Sequence, residues 1–412
     1  MNFDKDSSLN PSHSITASLP QIVASADPED TALLIADVRV LAQRLNLLKQ
    51  VFPEGTRHAV AIKTNPHKKI LATILQHGFD LEAASIEEVE LALVAGAQPQ
   101  QIVFDSPVKT RAEIEQCAGY SGMQINANML SELQRYPTHS VCQLGLRINP
   151  GIDTGAPDMY AVSTDESKFG VPIALTSEIL AACLIHPITA LHMHSGSQMS
   201  DLSVQLLAIQ RLFELAETID AHRAERGKNW RITTINIGGG LPAEDEPEQP
   251  VMCHYATQVT ELAKAYPAHQ LRTEFGQWTH RAAGYALSRV EYVGDAAVPN
   301  IFVHLGADLF TRHVYAPGAS LALKVLNPDG SEKTGPEQTC NIAGPLCFAG
   351  DYLARNIKLP AIKEGDWLLI SDVGANTYGL WSRHCSRAVP KVLAIDTQGA
   401  VTQWSERQSI GF

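Results

Sequence analysis

His58-Ala-Val-Ala-Ile-Lys63 is a short apolar run that stops on a lysine, with Thr64-Asn-Pro66 directly after it. A run of this length, closed by a turn signal, reads as a buried strand. Similar runs follow at 79–84, 101–105, 123–126, 142–149, 188–194, 232–237 and 270–274, which makes eight. Segments with helical periodicity separate them. Ser85-Ile-Glu-Glu88 and Thr110-Arg-Ala-Glu113 both have the form of a capping box. A longer amphipathic stretch covers 201–226 and ends at Gly227. Eight strand–helix repeats predict a (β/α)8 barrel. The alternative, a doubly wound sheet, usually has fewer strands and a glycine-rich first turn; here the first turn reads Lys63-Thr-Asn-Pro-His-Lys-Lys69.

Beyond Ala283 the pattern changes to alternating segments such as YALSRVEYV, NIFVHL, SLALKVL, DWLLISDV and KVLAIDT, with a turn signal at Asn327-Pro-Asp-Gly330. The expected architecture is therefore an α/β chain: a TIM barrel over 38–283 followed by a C-terminal β domain over 284–412. Residues 1–37 form an N-terminal arm that partly joins the β domain.

Composition narrows the function. A chain of 412 residues, 45% of them hydrophobic, holds two or three domains with sizeable cores. Lysine and arginine number 32 against 44 acidic residues, a net charge of -12, so no basic face for nucleic acid or an anionic membrane is expected. The seven cysteines are scattered without a CxxC pair, which suits a reducing cytoplasm better than a disulfide or zinc scaffold. The polar N-terminus is not a signal peptide. The charge-free stretch between Glu178 and Asp201 holds three histidines and a proline, and reads as a helix end, a turn and a buried strand rather than a membrane span.

In a barrel of this kind the chemistry sits where the strands end. The first run ends on Lys63, the sixth on His192-Met-His194-Ser-Gly-Ser197, the seventh on Gly238-Gly-Gly240 and the eighth on Glu274-Phe-Gly276. A buried strand-end lysine is costly unless paired or deprotonated, and desolvation is expected to lower its pKa. Three glycines let backbone N–H groups approach a phosphate, and an acid after the eighth strand suits a protonated ring nitrogen. Together these describe a pyridoxal phosphate site. Each part alone has a plainer reading: a rim charge for Lys63, an ordinary turn for the glycines, a satisfied core residue for His192. No third ligand accompanies His192 and His194, so no metal is expected. Lys109-Thr110 follows no GxxxxG stretch and is not a P-loop.

The segments AIKTNPHKKIL, LEAASIEEVELAL, LRINPG, SKFG, HMHSGSQ, INIGGGLP, EFG and GPLCFAGDYLA resemble those of the fold-type III pyridoxal phosphate decarboxylases, nearest the diaminopimelate decarboxylase-like branch. The resemblance runs from about residue 31 to 392. It implies an alanine racemase-like barrel with a β domain and a homodimer that shares two active sites. It also implies covalent attachment of the cofactor at Lys63, stacking of His194 on its ring, and phosphate binding by Ser197, Gly238, Gly239, Gly240 and Gly276. Glu274 would face the ring nitrogen, and Cys347 would help to protonate the product in the partner's site, with Asp351 in the same motif. The plainer reading of Cys347 is a small buried hydrophobe.

The departures concern the substrate. Where the family has an arginine after the strand-eight motif, this chain has Gln277. A second substrate arginine would fall four residues before Tyr315, at Thr311, and Arg312 is one place displaced. The acid expected after the motif cysteine is Phe348, and the late tyrosine is Asn376, for which nearby Tyr378 is the candidate substitute. A bidentate arginine–carboxylate contact is not replaced by glutamine without loss. The expectation is α-decarboxylation of an amino acid or derivative other than meso-diaminopimelate, with a siderophore-like pathway as one source. The alternatives are an amino-acid racemase or epimerase on the same fold, and a non-catalytic homologue that binds a partner.

Overall fold

The computed structural model describes residues 15–153, 163–164, 166–197, 199, 201–243, 249–315 and 320–408. The first fourteen residues of the expected arm lie outside these. The chain divides into two compact units, Met1–Arg44 with Thr279–Phe412, and Leu45–Trp278.

In chain order, β1 (Ala32–Asp37) belongs to the first unit. The second unit holds β2 (Arg57–Ala61), β3 (Asp80–Ala83), β4 (Ile102–Phe104), β5 (Gln124–Ala127), β6 (Gln143–Asn149), β7 (Val171–Pro172), β8 (Ile188–His192), β9 (Thr234–Asn236) and β10 (Gln270–Thr273). All pair in parallel in the order β5-β4-β3-β2-β10-β9-β8-β6, and β5 also pairs with β6, so eight strands close into a barrel. These are the eight expected runs. The two-residue β7 is an extra strand added to the end of β6.

Between them lie the helices Lys68–Gln76, Ile86–Ala95, Arg111–Ala118, Thr176–Ile185, Leu202–Ala224 and Pro250–Ala263. The β5–β6 connection departs from the repeat, with only the 3-10 segment Leu130–Arg135. Local chemistry sets the helix starts. The Thr110 hydroxyl accepts the Glu113 N–H at 3.2 Å while Glu113 accepts the Thr110 N–H at 2.5 Å, a complete capping box. At Ser85 the box is shifted: Ser85 accepts from Glu88, but the Glu88 carboxylate takes the N–H of Ala84. Asp201 caps the long helix by accepting from Ser203 and Val204.

Side chains two apart on a strand share a face, and several that fill this barrel are polar. Arg272 Nη1 donates to Gln124 Oε1 at 2.5 Å, and its Nη2 lies 3.3 Å from Asp80 Oδ2. Arg57 pairs with the other Asp80 oxygen at 2.5 Å. Two residues further on come Glu82, Asn126 and, just past β10, Glu274.

The first unit adds β11 (Gly284–Val293), β12 (Asn300–Val303), β13 (Ala322–Leu326), β14 (Glu337–Ala343), β15 (Tyr352–Pro360), β16 (Trp367–Ser371), β17 (Lys391–Ile395) and β18 (Val401–Ser405) to β1. β1 lies between β11, antiparallel, and β17, parallel. Its alternate residues enter two cores: Ala32 and Leu34 join one, Leu33 and Ile35 the other. Ile15, Leu19 and Ile22 from the N-terminal segment pack into the second core. The Asn327 turn closes on itself, with Asn327 N–H donating to Ser331 O at 2.8 Å. β14, β15 and β18 show no clean apolar alternation in the sequence, since β15 and β18 are largely exposed or half-buried and β14 buries only Cys340, Ile342 and Ala343.

Candidate active site

Lys63 lies just past β2, in the 3-10 turn Ile62–Thr64. Its Nζ forms an ion pair with Glu82 Oε2 at 2.5 Å, and its side chain is 53% exposed against 2% for Glu82. The expected depression of its pKa is not what the structure gives. Desolvation does lower it, but the attraction and hydrogen bond of Glu82, with Glu274 and Glu88 behind, outweigh that and leave the ammonium pKa raised. Burial pushes the Glu82 carboxyl up, against the pull of Lys63.

Glu274 follows β10 and is buried. Its Oε1 accepts from Asn236 Nδ2 at 2.7 Å, and Oε2 lies 3.2 Å from His192 Nε2. Desolvation raises its pKa, but the imidazole more than compensates and the net shift is downward. His192 is a fully buried core histidine with a carboxylate beside each ring nitrogen, as its core reading expects, and those carboxylates give it a charge. Nδ1 lies 3.2 Å from Asp105 Oδ1, and the two carboxylates overcome desolvation to push the imidazole up to about 9. Asp105 is in turn held by Arg147 Nη1 at 2.7 Å, and Arg147 stacks on Phe169 at 4.4 Å. Desolvation opposes ionisation of Asp105, yet Arg147 and His192 hold its pKa far down.

His194 lies two residues past the end of β8. Its Nδ1 accepts the Gly239 N–H at 3.2 Å, so the ring proton sits on Nε2. Burial, with Arg147 and Lys63 nearby, lowers its pKa to about 3 and keeps it neutral. The glycine run is built for close backbone approach. A Cβ on Gly238 would lie 2.5 Å from Met193 O; on Gly239 it would meet Glu274 O, and on Gly240 Gly196 O. Gly238 and Gly240 also hold φ of +67° and +103°. Two of the three amides have partners inside the protein, Gly238 N–H on Asn236 Oδ1 and Gly239 N–H on His194. Ser197 is half-buried on the loop after β8. A Cβ on Gly276 would lie 2.5 Å from Thr64 Cγ2, so the loops after β2 and β10 touch there.

The remaining candidates belong to the other unit, apart from Gln277, which is half-buried and opens the helix Gln277–His280. Thr311, Arg312 and Tyr315 share the short helix Thr311–Tyr315, where Arg312 is half-buried. Cys347 is exposed, which overturns its reading as a buried hydrophobe, and Phe348 is 37% exposed. Asp351 is buried and accepts the N–H groups of Ala307 and Leu346, each at 2.7 Å, which ties down the Cys347 loop. Asn376 has a φ of +57°, and Tyr378 is partly buried against the core. Sequence reasoning missed Glu82, Asp105, Arg147 and Asn236. Their signal was available: each occupies or directly follows a barrel strand, where a charged or amide side chain is costly without a partner. Among the described residues no group of three His, Cys, Asp or Glu side chains is arranged to hold a metal, and no helix is long and apolar enough to cross a membrane.

The pyridoxal-binding domain of the pyridoxal-dependent decarboxylases matches residues 38–278. The diaminopimelate decarboxylase of Zymomonas mobilis is 28% identical over 367 residues, 85% of this chain and 83% of that protein. The crystal structure of diaminopimelate decarboxylase from Helicobacter pylori complexed with L-lysine superposes with a TM-score of 0.82 at 24% identity, over 94% of this chain and 96% of that one. The arginine decarboxylase of Paramecium bursaria Chlorella virus, bound to agmatine, gives 0.77 at 16% identity over 89% and 96%. This chain belongs to the pyridoxal-dependent decarboxylases, on the diaminopimelate decarboxylase-like branch of fold type III. It is an amino-acid carboxy-lyase, and its cofactor is pyridoxal 5'-phosphate.

The barrel rim fits that cofactor. It offers an amine on Lys63 and a buried carboxylate on Glu274, which match an aldehyde and a protonated ring nitrogen.

Proposed function

We propose that this enzyme removes the α-carboxylate of an amino acid whose distal group is not the charged ammonium–carboxylate pair of meso-diaminopimelate. The observation that carries the decarboxylase site is one barrel rim that holds both Lys63, in its ion pair with Glu82, and buried Glu274, whose two oxygens are held by His192 and Asn236.

Lys63 is the attachment point of the cofactor and, once released, a proton carrier at Nζ; Glu82 holds that ammonium in place. Glu274 would hold the ring nitrogen, and His194, a neutral imidazole, would lie against the ring. Ser197, Gly238–Gly240 and Gly276 would line the phosphate end. Bound pyridoxal phosphate supplies the electron sink that makes loss of carbon dioxide feasible. Cys347, exposed on a loop tied by Asp351, is the proposed second proton donor and acts in a homodimer on the partner's site.

Gln277 supports the substrate assignment. It stands where the resemblance places a carboxylate-binding arginine, while Arg312, Tyr315, Phe348 and Asn376 replace or displace the other expected contacts. An unpaired substrate charge in a closed site costs several kcal/mol, on the order of a thousandfold in discrimination. Carbon dioxide release from a panel of amino acids with bulky or neutral distal groups, beside meso-diaminopimelate, tests this. Preference for one of the former is expected; efficient turnover of meso-diaminopimelate alone would overturn it.

A further inference from the structure

The inner end of the site carries a chain of alternating charge that the family reading does not use. Arg147, on β6, grips Asp105, just past β4, at 2.7 Å. Asp105 lies 3.2 Å from His192 Nδ1 on β8, and His192 Nε2 lies 3.2 Å from Glu274 Oε2 past β10. All four are buried. Asn236, on β9, covers the remaining Glu274 oxygen at 2.7 Å and is itself fixed by accepting the Gly238 N–H at 3.0 Å. Both Glu274 oxygens therefore have a partner, each supplied by a different barrel strand.

A carboxylate deprived of water must be paired or it takes up a proton. A protonated Glu274 could not act as the anionic acceptor for a ring N–H. We propose that His192 is a positioning residue: an imidazolium bridging Asp105 and Glu274 that holds Glu274 ionised and aimed, with Arg147 anchoring Asp105 on the far side. This rests on the reading that Glu274 faces the cofactor's ring nitrogen. Glutamine or asparagine at 192 would preserve polarity without the charge, and the Glu274 pKa would rise. The other charged groups facing this cluster do not replace it. Lys63 is committed to Glu82 and Lys109 to Glu132, and burial keeps His194 neutral, its Nδ1 accepting the Gly239 N–H. The direction of the His192 shift agrees with the geometry, since its two carboxylates outweigh desolvation.

The test has two readouts other than turnover, both on the full chain. In cofactor-free protein with isotope-labelled histidine, the His192 imidazole, assigned by its loss in His192→Gln, is expected to titrate near pH 9. In Asp105→Asn its midpoint should fall by a unit or more, and this variant serves if the His192 change prevents folding. In protein loaded with pyridoxal phosphate labelled at the ring nitrogen, the wild type should show a protonated ring at neutral pH. His192→Gln should shift that resonance towards the unprotonated position while the cofactor stays attached to Lys63. A His192 that titrates at an ordinary histidine pH, or a ring nitrogen unchanged in His192→Gln, would overturn the proposal. A wild-type protein that never attaches the cofactor at Lys63 would instead overturn the site reading on which the proposal stands, and the titration of His192 would tell these failures apart.

Discussion

Lys63 and Glu82 come from neighbouring barrel strands and meet at 2.5 Å, a half-exposed ammonium resting on a carboxylate with almost no contact with solvent. A lone buried lysine would lose its proton easily; this one keeps it, because the carboxylate has nowhere else to find a countercharge. Substituting Glu82→Gln should lower the Lys63 pKa. Each unit of that fall gives about tenfold more free amine at a given pH below it. The pH dependence of Lys63 modification by an amine-directed reagent reads this directly, and an unchanged profile would count against the pair.

Gly240 combines a φ of +103° with a Cβ direction that runs into the Gly196 carbonyl. Gly240→Ala should cost about 1–3 kcal/mol in urea unfolding through backbone strain, and should also weaken cofactor retention. Gly399, with φ of +88° but open space around its Cβ direction except for Arg39, should cost less when changed to alanine.

Lys109 and Glu132 form a buried ion pair at 2.8 Å, with Glu132 also accepting the Asn128 N–H at 2.9 Å and the Tyr136 hydroxyl at 3.2 Å. Removing one partner leaves the other charge buried and alone, so Lys109→Met should destabilise by about 3–5 kcal/mol. Lys109→Met combined with Glu132→Leu should recover part of that loss in the same urea measurement.

Several histidines are held neutral by burial. The imidazoles of His58 and His280 are lowered to about 4, and that of His194 to about 3. Between about pH 6.5 and 4 the unfolded chain binds protons at these sites that the folded chain refuses, so stability should fall as the pH drops through that window. At the steepest each contributes about 1.4 kcal/mol per pH unit. Glu82, whose folded pKa is raised, acts in the opposite sense over part of the range. Replacing His58 by glutamine should flatten the slope of unfolding free energy against pH.

The barrel was legible because parallel strands buried on both faces are written as continuous apolar runs, and runs such as 58–63 and 188–194 needed no tertiary information. β15 was not, because Arg355, Asn356 and Lys358 face solvent and hide its alternation. The rim residues Lys63, Glu274 and the glycines were found from their places at strand ends. The network beneath them was not, since the partners of His192 lie 87 residues before it and 82 after it, and only barrel closure brings them together. The Lys63 pKa departs from the sequence expectation for the same reason: desolvation is visible from one strand, but the opposing Glu82 belongs to the next.

The most direct test of the central claim is borohydride reduction of the purified, cofactor-loaded protein, followed by peptide mapping. A visible absorption band that reduction abolishes, with the cofactor recovered on the peptide containing Lys63, is the predicted result. A protein that takes up no pyridoxal phosphate, or carries it on another lysine, would contradict the site described here.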